Sequence, residues 1–136
     1  MAVNESRVYF ALLGDDFEPD DLTNFLGITP TSVSRKGSKT LGKIPACSSW
    51  QLSTENIANN YIDVFEMSAS IINQLKPKKQ LILDAIIRFN LSPLLEVVLW
   101  ITVNEDHSTP AIGFDIDTIK FLGEIGASID IDTYKH

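Results

Sequence analysis

The chain has one cysteine, Cys47, among its 136 residues. A lone cysteine excludes an internal disulfide and fits a reducing compartment. It leaves either an inert, partly buried thiol or a Cys-His pair that only the fold would assemble. There are two histidines, His107 and His136. Neither has a neighbour at the spacing that a zinc site or a Ser-His-Asp triad needs, so no metal and no cofactor is expected. Long apolar runs are also missing. The longest, 94–103, is interrupted by Glu96 and is half the length of about 20 residues that a bilayer-spanning helix needs. The opening Met1-Ala-Val-Asn-Glu-Ser-Arg7 lacks the basic and apolar regions of a secretory signal. The expected location is the cytoplasm.

Positive charge is scarce as well. Eleven Lys and Arg stand against 18 Asp and Glu, giving a net charge of −7 and a pI near 4.6. Such a surface repels nucleic acid phosphates and anionic lipid, so neither is an expected partner. It favours a basic protein partner, or simply aids solubility.

What is present is an ordinary globular composition, 44% hydrophobic and 21% charged. The length suits a single domain over 1–136 with a proper core. Residues 8–13 read as an apolar central strand closed by Gly14. Pro19 suits the first turn of a helix, with Asp20 and Asp21 beside it and Gly27 as its stop. Residues 28–49 read as a long loop with one strand near 32–35. Trp50-Gln51-Leu52 is a short strand. Apolar spacing predicts helices over 56–76 and 78–89, divided at Pro77. Residues 95–103 alternate as a strong strand, and 104–110 form a polar turn. The segment 111–114 is expected to pair back as a hairpin partner. Asp115 then caps a helix running to about 125, Gly126 stops it, and 128–133 is a final strand with Ile129 and Ile131 inward and Asp130 and Asp132 outward.

This order predicts an α+β fold: a mainly antiparallel sheet with helices packed on one face. The βα-type units at 7–52 and 94–134 suggest a ferredoxin-like, split βαβ core. The helices within about 56–90 would be an insertion.

Several segments carry a family resemblance. They are the opening aromatic strand ending in Gly14, Pro19-Asp20, Leu26-Gly27-Ile28 with Pro30-Thr31, Arg35-Lys36-Gly37 and Trp50-Gln51-Leu52. The ending adds Leu122, Gly126-Ala127, Ile129-Asp130-Ile131-Asp132 and Tyr134. Together they resemble the small bacterial proteins of the Domain of Unknown Function 4279 family, over nearly the whole chain. The resemblance implies a bacterial, single-domain protein and brings no catalytic assignment.

Four groups of residues are candidates for function. The acidic run 15–21 could bind a divalent cation but lacks the alternation, glycine and terminal glutamate of an EF-hand loop, and helix capping with dipole complementation explains it adequately. Asp115, Asp117, Asp130 and Asp132 form a second acidic set. On the last strand, Asp130 and Asp132 are a paired-carboxylate candidate if their face is covered, and the polar side of an edge strand if it is not. Arg35, Lys36 and Lys39 sit in a loop whose order departs from a phosphate-binding P-loop. That loop either binds an anion, with Trp50 nearby, or pairs with the molecule's own acids. Trp50, Trp100 and Tyr134 line a pocket or interface, or else Trp100 covers the sheet beneath a helix.

No catalytic constellation is visible, so the expectation is not an enzyme. The leading expectation is a protein-binding module that neutralises a basic, nuclease-like bacterial toxin domain, by analogy with small acidic immunity proteins. Asp15, Asp16, Asp20 and Asp21 would steer the encounter. The alternatives are a small-molecule or anion-binding regulatory domain using the 31–49 loop with Arg35, Lys36, Lys39 and Trp50, or a structural homodimer paired through an edge strand.

Overall fold

A computed structural model describes residues 3–38, 45–58, 61–102 and 109–135. Lys39, His107, His136 and residues 104–108 of the predicted turn at 104–110 lie outside the described residues.

The strands are β1 (Glu5–Gly14), β2 (Ser32–Ser34), β3 (Ser48–Ser53), β4 (Ile57–Ala58), β5 (Ser92–Ile101) and β6 (Ser128–Lys135). The helices are α1 (Pro19–Leu26), α2 (Val64–Leu75), α3 (Lys79–Phe89) and α4 (Ile116–Ile125). The strands form one sheet in the order β2-β3-β1-β5-β6, with β4 also paired to β1. Among the described residues these strand pairings are antiparallel except that of β5 with β6. The expected α+β class and mainly antiparallel sheet are what the chain forms.

The two terminal units differ. In the first, β1 and β2 run parallel with β3 between them, which is a split βαβ arrangement. In the second, β5 and β6 are direct parallel neighbours joined through α4.

Strand alternation sorts the sheet into two faces. Val8, Phe10 and Leu12 of β1, Trp50 and Leu52 of β3, and Leu95, Val97 and Leu99 of β5 point to one face. They form the core with residues of all four helices, among them Leu22, Ile71, Ile82 and Phe121. Among the described residues no helix covers the other face.

Local signals explain the helix boundaries. Glu18 caps α1, its Oε1 accepting from the Asp20 N–H at 3.2 Å, and Gly27 ends it at φ +70°. Asp63 caps α2 by accepting from the N–H groups of Phe65 and Glu66. That cap corrects the expected start: α2 begins at Val64 rather than near 56, because Ile57 and Ala58 are taken by pairing with β1. A 3-10 turn over Lys76–Lys78, holding Pro77, leads directly into α3. Asp115 caps α4 through the Thr118 N–H at 2.8 Å. No helix is long and apolar enough to cross a membrane among the described residues.

The expected hairpin strand at 111–114 is absent. Both sides of β5 are occupied, by β1 and by β6, so no edge remains for it. Ala111 instead makes an isolated parallel bridge with Asp63 at the start of α2.

Candidate functional site

The open face of the sheet gathers the most unusual chemistry of the chain. The parallel register sets Glu96 beside Asp130, Val98 beside Asp132 and Trp100 beside Tyr134. On the other side of β5, the antiparallel register sets Tyr9 beside Glu96 and Arg7 beside Val98. One row of this face therefore reads Tyr9, Glu96, Asp130, and the next reads Arg7, Val98, Asp132.

Glu96 is 4% exposed. Asp130 is exposed and Asp132 partly so. One carboxylate oxygen from each of the three lies within 4.8 Å of the others. The Glu96 Oε2 is buried and has no donor among the described residues. Burial, followed by the facing carboxyl groups of Asp132 and Asp130, pushes the Glu96 carboxyl up to about 8. Burial also raises the Tyr9 hydroxyl, with Glu96 adding to the effect and Arg7 opposing it. The Arg7 guanidinium lies 5.2 Å from the centre of the Tyr9 ring. Such a cluster attracts positive charge, as a proton on Glu96 or as a cation.

Farther along the same face, Trp100 stacks on Tyr134 with ring centres 5.9 Å apart and planes at 23°. Trp100 is therefore not beneath a helix, as one reading of the sequence had it. It forms an aromatic shelf on the open face. Ile129 and Ile131 are on the helix side of β6 but stay about 40% exposed, because β6 is an edge strand.

Arg35 and Lys36 of the basic loop are held by the acidic run. Arg35 Nη2 pairs with Glu18 at 2.7 Å and with Asp20 at 3.2 Å, and Lys36 pairs with Asp15 at 3.1 Å. The guanidinium holds the Glu18 carboxyl below its ordinary range. Trp50 is fully buried and donates from Nε1 to Thr23 Oγ1 at 3.0 Å, so its indole is spent in the core rather than presented to an anion. Of the four predicted steering acids, Asp15 and Asp20 are thus engaged within the molecule. Asp16 and Asp21 are exposed and make no ion pair among the described residues. Cys47 is a free, half-buried thiol, and a partner at His107 lies outside the described residues.

Other exposed apolar side chains lie at the start of α2, in the segment before α4 and on α4 itself. Gly113 is seated under the Phe65 ring so closely that any Cβ there would overlap it. Ile112 beside it is 42% exposed and Phe65 43%. On α4, Phe121, Leu122 and Ile125 face the core, while Ile116 and Ile119 point outward, 81% and 55% exposed. Asp63, Glu66, Asp115 and Asp117 surround this apolar stretch in sequence. Asp117 also borders a groove of about 310 Å³ with Lys76, Lys79 and Lys120. There, Lys76 pairs with Asp117 at 3.4 Å and Lys79 with Glu124.

Glu96 was missed by sequence reasoning, which took it only as a break in an apolar run. A charged residue in a strand otherwise built of Leu and Val was the available signal. The exposed Ile112, Ile116 and Ile119 were also missed, because their spacing reads equally well as core.

The family comparison agrees with the resemblance. The model of the Domain of unknown function (DUF4279) matches residues 4–136, and the chain belongs to that family. No curated protein and no solved structure matches it.

Proposed function

We propose that the protein is a binding module rather than an enzyme, working in the cytoplasm and taking a basic protein partner. In its sharpest form it is an immunity protein that neutralises a bacterial toxin domain. The observation that carries this reading is the outward apolar stretch of Ile112, Ile116, Ile119 and Phe65, with carboxylates on either side. Exposed apolar side chains with polar groups around them recur at protein interfaces. The net charge of −7 adds long-range attraction for a basic partner. Asp16 and Asp21 remain available to steer it, whereas Asp15 and Asp20 are committed to Lys36 and Arg35.

The anion-binding alternative has less support. Its Arg35 and Lys36 already hold internal carboxylates, and Trp50 is buried. Homodimer formation through β6 is opposed by Asp130 and Asp132, which place like charges on the edge strand.

Affinity capture with the tagged full chain from its own cells, read by mass spectrometry, tests the reading. A stoichiometric basic protein is expected. A toxin gene beside this one would identify it.

A further inference from the structure

We propose that Glu96, Asp130 and Asp132 form a binding site for a hard divalent cation, of the Ca²⁺, Mg²⁺ or Mn²⁺ class, on the open face of the sheet. This site is separate from the apolar stretch on α4, and the inference does not depend on the partner-binding reading.

Two exposed acids on an edge strand have an ordinary reason to be there, since they discourage further pairing. Glu96 has no such reason. It stands in β5, an interior strand, between Leu95 and Val97, and is 4% exposed. A buried carboxyl group is costly unless its oxygens are satisfied. Yet its Oε2 finds no donor among the described residues. Instead, the carboxylate is directed toward those of Asp130 and Asp132, with an oxygen of each within 4.8 Å of the others.

The geometry suits a cation. Oxygens bound to one ion at about 2.1–2.5 Å stand roughly 3–5 Å apart, a range that includes the observed limit. The sheet supplies the arrangement with little freedom. Glu96 and Asp130 are register neighbours, and Asp132 follows Asp130 by two residues on the same face. All three donors are carboxylate oxygens, which favours hard ions over zinc or copper. The exposed side of Asp130 leaves room for water to complete the coordination sphere.

Isothermal titration of the chelator-treated, dialysed full chain with CaCl₂, MgCl₂ and MnCl₂ in turn, at about physiological ionic strength, tests this. The expected result is saturable one-to-one binding of at least one ion. Affinity should fall at least tenfold in Glu96→Gln and in Asp132→Asn. It should be unchanged in Asp84→Asn, which removes the same charge on α3. Asp132→Asn changes a partly exposed position and carries the comparison if Glu96→Gln does not fold. No saturable heat with millimolar concentrations of any of the three ions would overturn the proposal. So would equal isotherms for the wild type and the cluster variants, which would mean diffuse attraction to an acidic protein.

Discussion

Glu96 of β5 and Asp130 of β6 are direct register neighbours in the sheet's parallel pair, one carboxyl buried and the other exposed. The pairing places an acid in the sheet interior next to an acid at its edge. Its consequence is a folded state that binds a proton more tightly than the unfolded chain does.

Stability should therefore depend on pH in an unusual direction. The Glu96 carboxyl rises from an ordinary 4.5 to about 8 on folding. Between those values the native state holds more protons than the unfolded state, so stability falls as pH rises through this window. The slope from this group is at most about 1.4 kcal/mol per pH unit. The facing groups are Tyr9 and Arg7 on β1 and Asp130 and Asp132 on β6. Urea unfolding at several pH values, with chelator present, should show Glu96→Gln gaining on the wild type toward pH 8. Below about 4.5 the sign reverses for Glu18, Asp115 and Glu124, whose lowered values make acid destabilising for both proteins alike. A wild type and variant with parallel profiles from pH 5 to 8 would show that Glu96 does not bind its proton this way.

Trp50 ties β3 to α1 through its hydrogen bond to Thr23. Trp50→Phe keeps an aromatic core residue but removes the donor and leaves a small void. The expected cost is about 1–3 kcal/mol with an unchanged denaturant m-value. Because the indole is fully buried, its fluorescence should also resist quenching by iodide.

Gly113 admits the Phe65 ring over its backbone. Gly113→Ala should displace that ring and destabilise by roughly 1–3 kcal/mol. The cost should shrink by more than about 0.5 kcal/mol when Phe65→Ala is already present, as contact between the two positions requires. Additive single costs in a double-mutant cycle would place Phe65 elsewhere.

Ile116 and Ile119 point to solvent from α4, whose buried side is Phe121, Leu122 and Ile125. Ile116→Asp and Ile119→Asp should each change folding stability by no more than about 0.5 kcal/mol, as surface substitutions usually do. Phe121→Ala on the opposite side should cost about 3–5 kcal/mol. Thermal unfolding of the three variants separates the two faces.

Much of the architecture was legible because it rests on local signals. Pro19 with its acids, Gly27, Asp115 and Gly126 fixed the ends of α1 and α4. Alternation in β5 identified one apolar face. The failures came from long-range competition. Residues 111–114 look like a strand, but β1 and β6 already hold both sides of β5. Periodicity could not say that 57–58 would pair with β1, because the choice between helix and strand there is made by a distant partner. The carboxylate cluster was half legible. Asp130 and Asp132 share a face by spacing alone, whereas Glu96 joins them only through the parallel register of two strands about 35 residues apart. The basic loop and acidic run were both conspicuous, and their mutual pairing was one of the readings open from sequence.

The most direct test of the partner-binding account is a paired affinity capture from the protein's own cells. Wild-type chain and the Ile116→Asp/Ile119→Asp variant would be compared, each first shown to be folded by circular dichroism. The account predicts a stoichiometric basic protein captured by the wild type and lost, or reduced at least tenfold, with the variant. Equal capture of the same partner by both, or no stoichiometric partner with the wild type, would contradict it.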